Sequence, residues 1–266
     1  MAANWLDLLG AAFGGGLGVK LLDYLHDEFR RRRDATRNAK QVLDTNLDPI
    51  LKAADEAVGK LFSLAGSDFK ELVSKRGRSE TGQGSMLAVL FLVAQFWARI
   101  QILREQSVYV NLARMESGKW LLEFLKTLEA HKTRLVERAS QRAMGEALIV
   151  REHDNLRCCT YFEFGEKYLS SETYRAWFAP LVVTLERLQH TRERQRLLVY
   201  GTVLHAFVDT LDTARAVTRG RPTWANKLSV RSRRDLQFRV FPLYLPFVKS
   251  ARRFYRPESR GDSDSK

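Results

Sequence analysis

The chain has 266 residues, 45% of them apolar and 28% charged, and its 44 Lys and Arg against 31 Asp and Glu give a formal charge of +13. That apolar fraction excludes a disordered or low-complexity chain, and a chain of this length buries enough surface to fold without covalent staples. The two cysteines, Cys158 and Cys159, are neighbours in sequence, which excludes a disulfide framework and leaves them the role of small buried side chains.

Apolar residues recur at three- and four-residue spacing over long windows, and sustained alternation at period two is hard to find. The pattern predicts an all-α fold: an irregular multi-helix bundle with a glycine-rich N-terminal helix and a basic, aromatic C-terminal extension. The expected division is 1–33 for the first helix and its basic flank, 34–216 for the bundle, 217–256 for the extension and 257–266 for a disordered tail. A first helix is expected over residues 4–33. Asp48-Pro49 then reads as the start of a second, an acid at the N-cap with Pro at the first helical position, carrying Ile50, Leu51, Ala54, Val58, Leu61 and Leu64 on one stripe. It should give way near Gly66-Ser67, with a short continuation through Phe69 and Leu72. Residues 74–85 hold three Gly and no large apolar side chain and read as a solvated loop. Residues 86–103 are apolar nearly all round, and the interruptions at Gln95, Arg99 and Gln101 favour the middle of a bundle over a bilayer. A long amphipathic helix follows Glu116-Ser117-Gly118, with Trp120, Leu121, Phe124, Leu128, Leu135 and Val136 inward. Ser171-Glu172 reads as a further helix start, with Pro180 either kinking that helix or marking its true beginning. The last helix is expected over 192–216. No repeat of 20 to 50 residues is visible, so a solenoid is not suggested.

Residues 5–25 would span about 31 Å as a helix, matching a hydrocarbon core of about 30 Å. Asp7, Lys20 and Asp23 interrupt the stretch, so its insertion is close to balanced. Gly10, Gly14 and Gly18 repeat at four-residue spacing and form a smooth face on which a second helix, including that of another copy, could approach closely. Arg30, Arg31, Arg32 and Arg33 follow and, by the positive-inside rule, would hold this flank in the cytoplasm. A cleaved signal peptide fits less well, because no basic region precedes the apolar stretch.

The charge is uneven. Residues 1–75 carry eleven basic and eleven acidic side chains, whereas residues 215–256 carry twelve basic ones against the single acid Asp235. Among these cations lie Trp224, Phe238, Phe241, Tyr244, Phe247, Phe254 and Tyr255. Rings and guanidinium groups in such a mixture suit an anionic membrane surface, where rings sit at headgroup depth and cations meet lipid phosphates; Arg231, Arg233, Arg234, Arg252 and Arg253 are the candidate contacts. The same mixture suits single-stranded nucleic acid, with bases stacked on the rings. The plainer alternative is that residues 238–248 pack onto the bundle and the arginines are merely solvated.

Signals for chemistry are sparse. Val19 separates Gly18 from Lys20, which breaks a phosphate-loop pattern, and it occupies the third glycine position of a dinucleotide fingerprint. No Gly-x-Ser-x-Gly elbow and no His-Glu-x-x-His pair occurs, and Arg187 with His190 or Arg196 with His205 have the wrong spacing for an RNA-cleaving helical pair. His205, Asp209 and Asp212 share a helical face and could hold a metal or form an acid-base group, although a solvated polar face is the simpler reading. His153, between Glu152 and Asp154 and near Cys158, lacks the paired spacing of a zinc site. No cofactor is implied. The sequence thus leads to a non-enzymatic, membrane-associated interaction protein with a cytoplasmic body. The alternatives are a soluble cytoplasmic nucleic-acid binder and a metal-assisted enzyme at His205, Asp209 and Asp212.

Overall fold

The computed structural model describes residues 17–73, 80–108, 110–153 and 155–257. The chain is an all-α multi-helix fold, as the periodicity predicts. Helix α1 (Leu17–Gly66) is followed by the one-turn α2 (Lys70–Val73) and by α3 (Glu80–Gln106). Then come α4 (Glu116–Glu129), α5 (Arg138–Ala147), a hairpin of β1 (Ile149–Glu152) and β2 (Asn155–Cys158), α6 (Tyr161–Ser170), α7 (Glu172–Glu186) and α8 (Thr191–Leu211). The C-terminal part holds α9 (Val230–Asp235), a π turn (Leu236–Val240), α10 (Phe241–Tyr244) and α11 (Arg252–Tyr255).

Helix α3 lies between α1 and α5, and α8 lies between α1 and α4. In α3 the side chains of Leu90, Ala94, Phe96, Trp97, Ala98 and Ile100 are fully buried, as expected of a helix apolar on every side. Residues Gln83–Gln106 are long and apolar enough for a membrane span, yet 67% of that window is buried inside the bundle. Gly145 allows α5 to cross α3 at backbone distance: a Cβ there would lie 2.7 Å from the carbonyl carbon of Trp97.

Several boundaries differ from the sequence expectation, each for a local reason. Helix α1 does not restart at Pro49. The buried stripe Ala39, Leu43, Asn46, Ile50 and Ala54 passes through it in phase, and the Asn46 amide donates to the Val42 carbonyl (2.9 Å) and to Gln106 of α3 (2.7 Å). The expected loop over 74–85 is already helical from Glu80: Ser85 donates to Glu71 (2.8 Å) and accepts from Lys60 (3.3 Å), which pins the start of α3 to α1 and α2. Helix α4 stops at Glu129 rather than running to Val136, because the buried Thr133 hydroxyl donates to the Thr127 carbonyl that a further turn would use. Leu135 and Val136 are still buried, but from a loop. A sheet was not expected; β1 and β2 pair antiparallel, with His153 in the left-handed region (φ 53°) at the turn. Ser171 caps α7 by accepting from the Tyr174 N–H (3.2 Å), as its sequence signal predicts, and Pro180 lies inside that helix.

Residues 217–257 fold back and share the bundle's core. Trp224, Leu228, Leu236, Val240, Phe241, Leu245, Val248 and Phe254 are all buried. The Trp224 indole N–H donates to Thr202 (2.9 Å) and to the Leu198 carbonyl (3.2 Å), both on α8. Arg221 grips Asp55 of α1 with two bonds of 3.0 Å, and Phe247 stacks on Trp120 at 5.5 Å between ring centroids. Of the tail expected over 257–266, all but Pro257 lies outside the described residues.

Candidate anionic-surface interface

Helix α9, the π turn and α10 form one helical run with two contrasting sides. Inward, Ser232, Leu236, Val240 and Phe241 are buried. Outward, Val230 is 64% exposed, Phe238 61% and Leu243 68%, with Arg231, Arg234, Arg239 and Tyr244 beside them. Positions 230, 234 and 238 follow a four-residue step and so share a face. The wider π turn holds one more residue per turn, and Gln237, Phe238 and Arg239 all remain on the solvent side. Ser229 starts the run as an N-cap, accepting from the Ser232 N–H (3.1 Å).

Among the described residues, Arg231, Arg233, Arg234 and Arg252 have no hydrogen-bond or ion-pair partner for their side chains, and Arg239 pairs with Asp235 at 3.1 Å. Arg253, expected to face an anion, is spent internally: it pairs with Asp209 and lies 4.9 Å from the centroid of the Phe254 ring. Of the seven rings in this region, Trp224, Phe241 and Phe254 are buried and Phe247 and Tyr255 are half-buried, which leaves Phe238 and Tyr244 exposed. Arg30 and Arg33 are exposed on α1, while Arg31 and Arg32 lie outside the described side chains. Gly10 and Gly14 lie outside the described residues, and Gly18 falls in the first turn of α1.

The solvated polar face expected of His205, Asp209 and Asp212 is not found, because His205 and Asp212 are buried and the Asp209 side chain is nearly so, and the three do not gather into a metal-holding group. The carboxylate of Asp212 accepts from the N–H groups of Ala216 (2.8 Å), Val217 (3.0 Å) and Thr218 (2.9 Å) and from the Thr218 hydroxyl (2.8 Å). Burial works against its ionisation, but these donors outweigh it and hold the carboxyl below its usual range. The same bonds explain why α8 ends at Leu211 instead of continuing to residue 216: Asp212 folds the following loop onto itself. Asp209 is taken by Arg215 and Arg253. His205 is 2% exposed, wedged against Phe254 and Trp224 with centroids at 5.3 and 6.0 Å, and lies 3.6 Å from Asp209. Burial, together with Arg253, Arg215 and Arg221, lowers its pKa to about 4, so the ring is neutral at pH 7. Among the described residues no group of three or more His, Cys, Asp or Glu could hold a metal ion.

Sequence reasoning passed over a second charged cluster. Glu129, at the buried C-terminal end of α4, accepts from Arg104 (2.6 Å), Arg138 (2.7 Å) and Arg142 (3.2 Å). Burial alone would raise its pKa, yet the bonds from Arg142 and Arg104 dominate and lower it. No sequence signal marks it, because the three arginines come from α3 and α5. Thr160 and Glu163 form a reciprocal capping box that the Thr-x-x-Glu spacing does advertise. Cys158 and Cys159 are free and buried, as expected. No family model, curated protein or solved structure matches the chain.

Proposed function

We propose that the protein is a non-enzymatic, membrane-associated interaction protein that docks on anionic lipid through the outer face of residues 230–244. The observation that carries this reading is the juxtaposition of exposed Val230, Phe238 and Leu243 with unpartnered Arg231 and Arg234 on a helix whose opposite side is buried. Apolar side chains that gain by leaving water lie next to cations that gain by meeting phosphate, a combination that suits a headgroup layer. Base stacking is less well supplied, since three of the seven rings are spent in the core and two are half-buried. In the same proposal, residues 5–25 anchor the chain or pair with another copy through Gly10, Gly14 and Gly18, and Arg30 to Arg33 lie at the cytoplasmic flank. The spacing of the glycines and the position of the arginines support that part.

Vesicle co-sedimentation tests the docking. The full chain should bind phosphatidylglycerol-containing vesicles and not phosphatidylcholine vesicles, with binding that weakens as salt rises. Replacing Arg231, Arg234 and Arg252 by Gln should weaken binding about a hundredfold, from about 1 kcal/mol per cation. A Val230→Ser/Phe238→Ser variant should also lose affinity. Equal binding by all variants, or none by the wild type at low salt, would overturn the proposal. Fractionating cells that express the chain with and without residues 1–25 tests the anchor: a full chain that stays soluble at low salt refutes it.

A further inference from the structure

Next to the proposed docking face, and sharing Arg231 and Arg239 with it, a groove of about 750 Å³ opens between the loop after α4, the first turns of α8 and the run from Ser229 to Val240. That volume lies within the range of small-molecule sites. Lys132, Arg192, Arg196, Arg231 and Arg239 line it, and the one acid among its lining residues, Asp235, is already paired with Arg239 at 3.1 Å. Arg196 is partly committed, its Nε donating to the Arg134 carbonyl at 2.8 Å. Lys132, Arg192 and Arg231 have no side-chain partner among the described residues.

The walls are fixed by specific bonds. The Arg196 bond holds the loop after α4 against α8. The Gln195 side chain donates to the Lys227 carbonyl (3.0 Å) and accepts from the Ser229 N–H (2.7 Å), which locks the start of α9 onto α8. Val199 and Val240 are buried at the floor. Thr191 and Arg192 bring the first turn of the 21-residue helix α8 to the groove wall; His190 caps it without a side-chain hydrogen bond, and Glu193, the acid of that turn, lies 3.9 Å from Arg196. Three exposed cations without side-chain partners, from three elements, line one concave surface, and their summed field favours an anion seated among them.

We infer that this groove is a binding site for a dianionic terminal phosphate, a phosphate monoester or pyrophosphate group. Such a group offers three outer oxygens and two charges to three separate cations, whereas a phosphodiester offers two free oxygens and one charge. The inference rests on the lipid-docking reading in its choice of headgroup, and it extends that reading from general anionic charge to one phosphate chemistry.

The test has a soluble arm and a lipid arm, both on the full chain. In calorimetry, inorganic pyrophosphate should bind saturably. Lys132→Gln/Arg192→Gln should weaken it at least about tenfold, through loss of two charge-assisted contacts, while Val230→Ser/Phe238→Ser leaves it unchanged. In co-sedimentation, vesicles containing phosphatidic acid are compared with vesicles of phosphatidylglycerol matched for charge. A preference for phosphatidic acid that the Lys132/Arg192 variant loses assigns a lipid headgroup. Pyrophosphate binding lost in that variant, with no lipid preference, assigns a soluble phosphate ligand. No pyrophosphate binding and no preference for phosphatidic acid, or binding indifferent to the Lys132/Arg192 substitutions, overturns the inference. If both vesicle types are ignored while pyrophosphate still binds, the docking reading fails and the groove stands.

Discussion

Acidifying the protein to pH 5 should cost about 2 kcal/mol of stability through His205 alone. The folded-state pKa is lowered to about 4 from an ordinary value of 6.5, so the unfolded chain takes up this proton first. Above pH 6.5 the group contributes nothing. Between pH 6.5 and 4 the unfolded state binds the extra proton and stability falls, reaching about 2 kcal/mol of loss at pH 5. It approaches about 3 kcal/mol below pH 4, where the slope vanishes. Asp209, 3.6 Å away, gives the imidazolium little help because Arg215 and Arg253 already neutralise it. Asp55 on α1 favours the cation but is itself gripped by Arg221. The assay is urea unfolding at pH 7.5 and pH 5 for the wild type and for His205→Gln. Every other titrating group is common to both proteins and drops out of the difference. The wild type should lose about 2 kcal/mol more than the variant on acidification. Equal losses would refute the claim that this ring is held neutral by its surroundings.

Other perturbations draw on the same packing. Gly201→Ala would place a Cβ 2.7 Å from the Trp224 ring and 3.1 Å from Leu61, and the ring is tethered at its N–H; a loss of about 1–3 kcal/mol in urea unfolding with altered tryptophan fluorescence is expected. Glu129→Gln leaves three guanidinium groups around a neutral acceptor. Because all three arginines reach solvent, the cost should fall at the lower end for a broken buried pair, about 3 kcal/mol by denaturation. Asp212→Ala strips the acceptor from four donors and should cost about 2 kcal/mol or more, with faster hydrogen exchange at the amides of Ala216, Val217 and Thr218.

The helical fold was legible because burial in α1 follows a period that one sequence displays, so Ile50, Ala54, Val58 and Leu61 could be placed inward from spacing, while α3 stands out as a run that is apolar nearly all round. Helix ends were less so. Those at Glu129 and Leu211 are set by Thr133 and Asp212 folding back on their own loops, and a propensity scan scores such residues as ordinary polar positions. Pro49 misleads in the other direction, since the same dipeptide suits both a helix start and a tolerated interruption; only the unbroken buried stripe from Ala39 to Ala54 decides between them. The hairpin was hidden because its strands are four residues long and interrupted by Arg151, Glu152 and Arg157, with Arg157 held by Glu152 and Glu163 rather than by any apolar alternation. His205 and Asp209 do share α8, with Asp212 just past its end, but the partners that fix their roles, Arg215, Thr218 and Arg253, come from beyond the helix and carry no periodic signal.

The basic, aromatic end was opaque for a related reason. Composition could not divide its rings between core and surface, because Phe238 and Phe241 differ only in which side of one helical run they occupy. Three ties hold that run in place: Arg221 on Asp55, the Trp224 indole on α8, and Arg253 on Asp209. A segment folded in advance loses no backbone entropy on docking, whereas an unstructured one would give up about 1–2 kcal/mol per residue ordered. For docking on anionic lipid, a few exposed side chains and about four free cations are then enough for reversible attachment, at about 1 kcal/mol per cation on an anionic leaflet. Under the proposed function, cutting a tie should therefore weaken vesicle binding even though Asp55 and Asp209 lie off the proposed docking face.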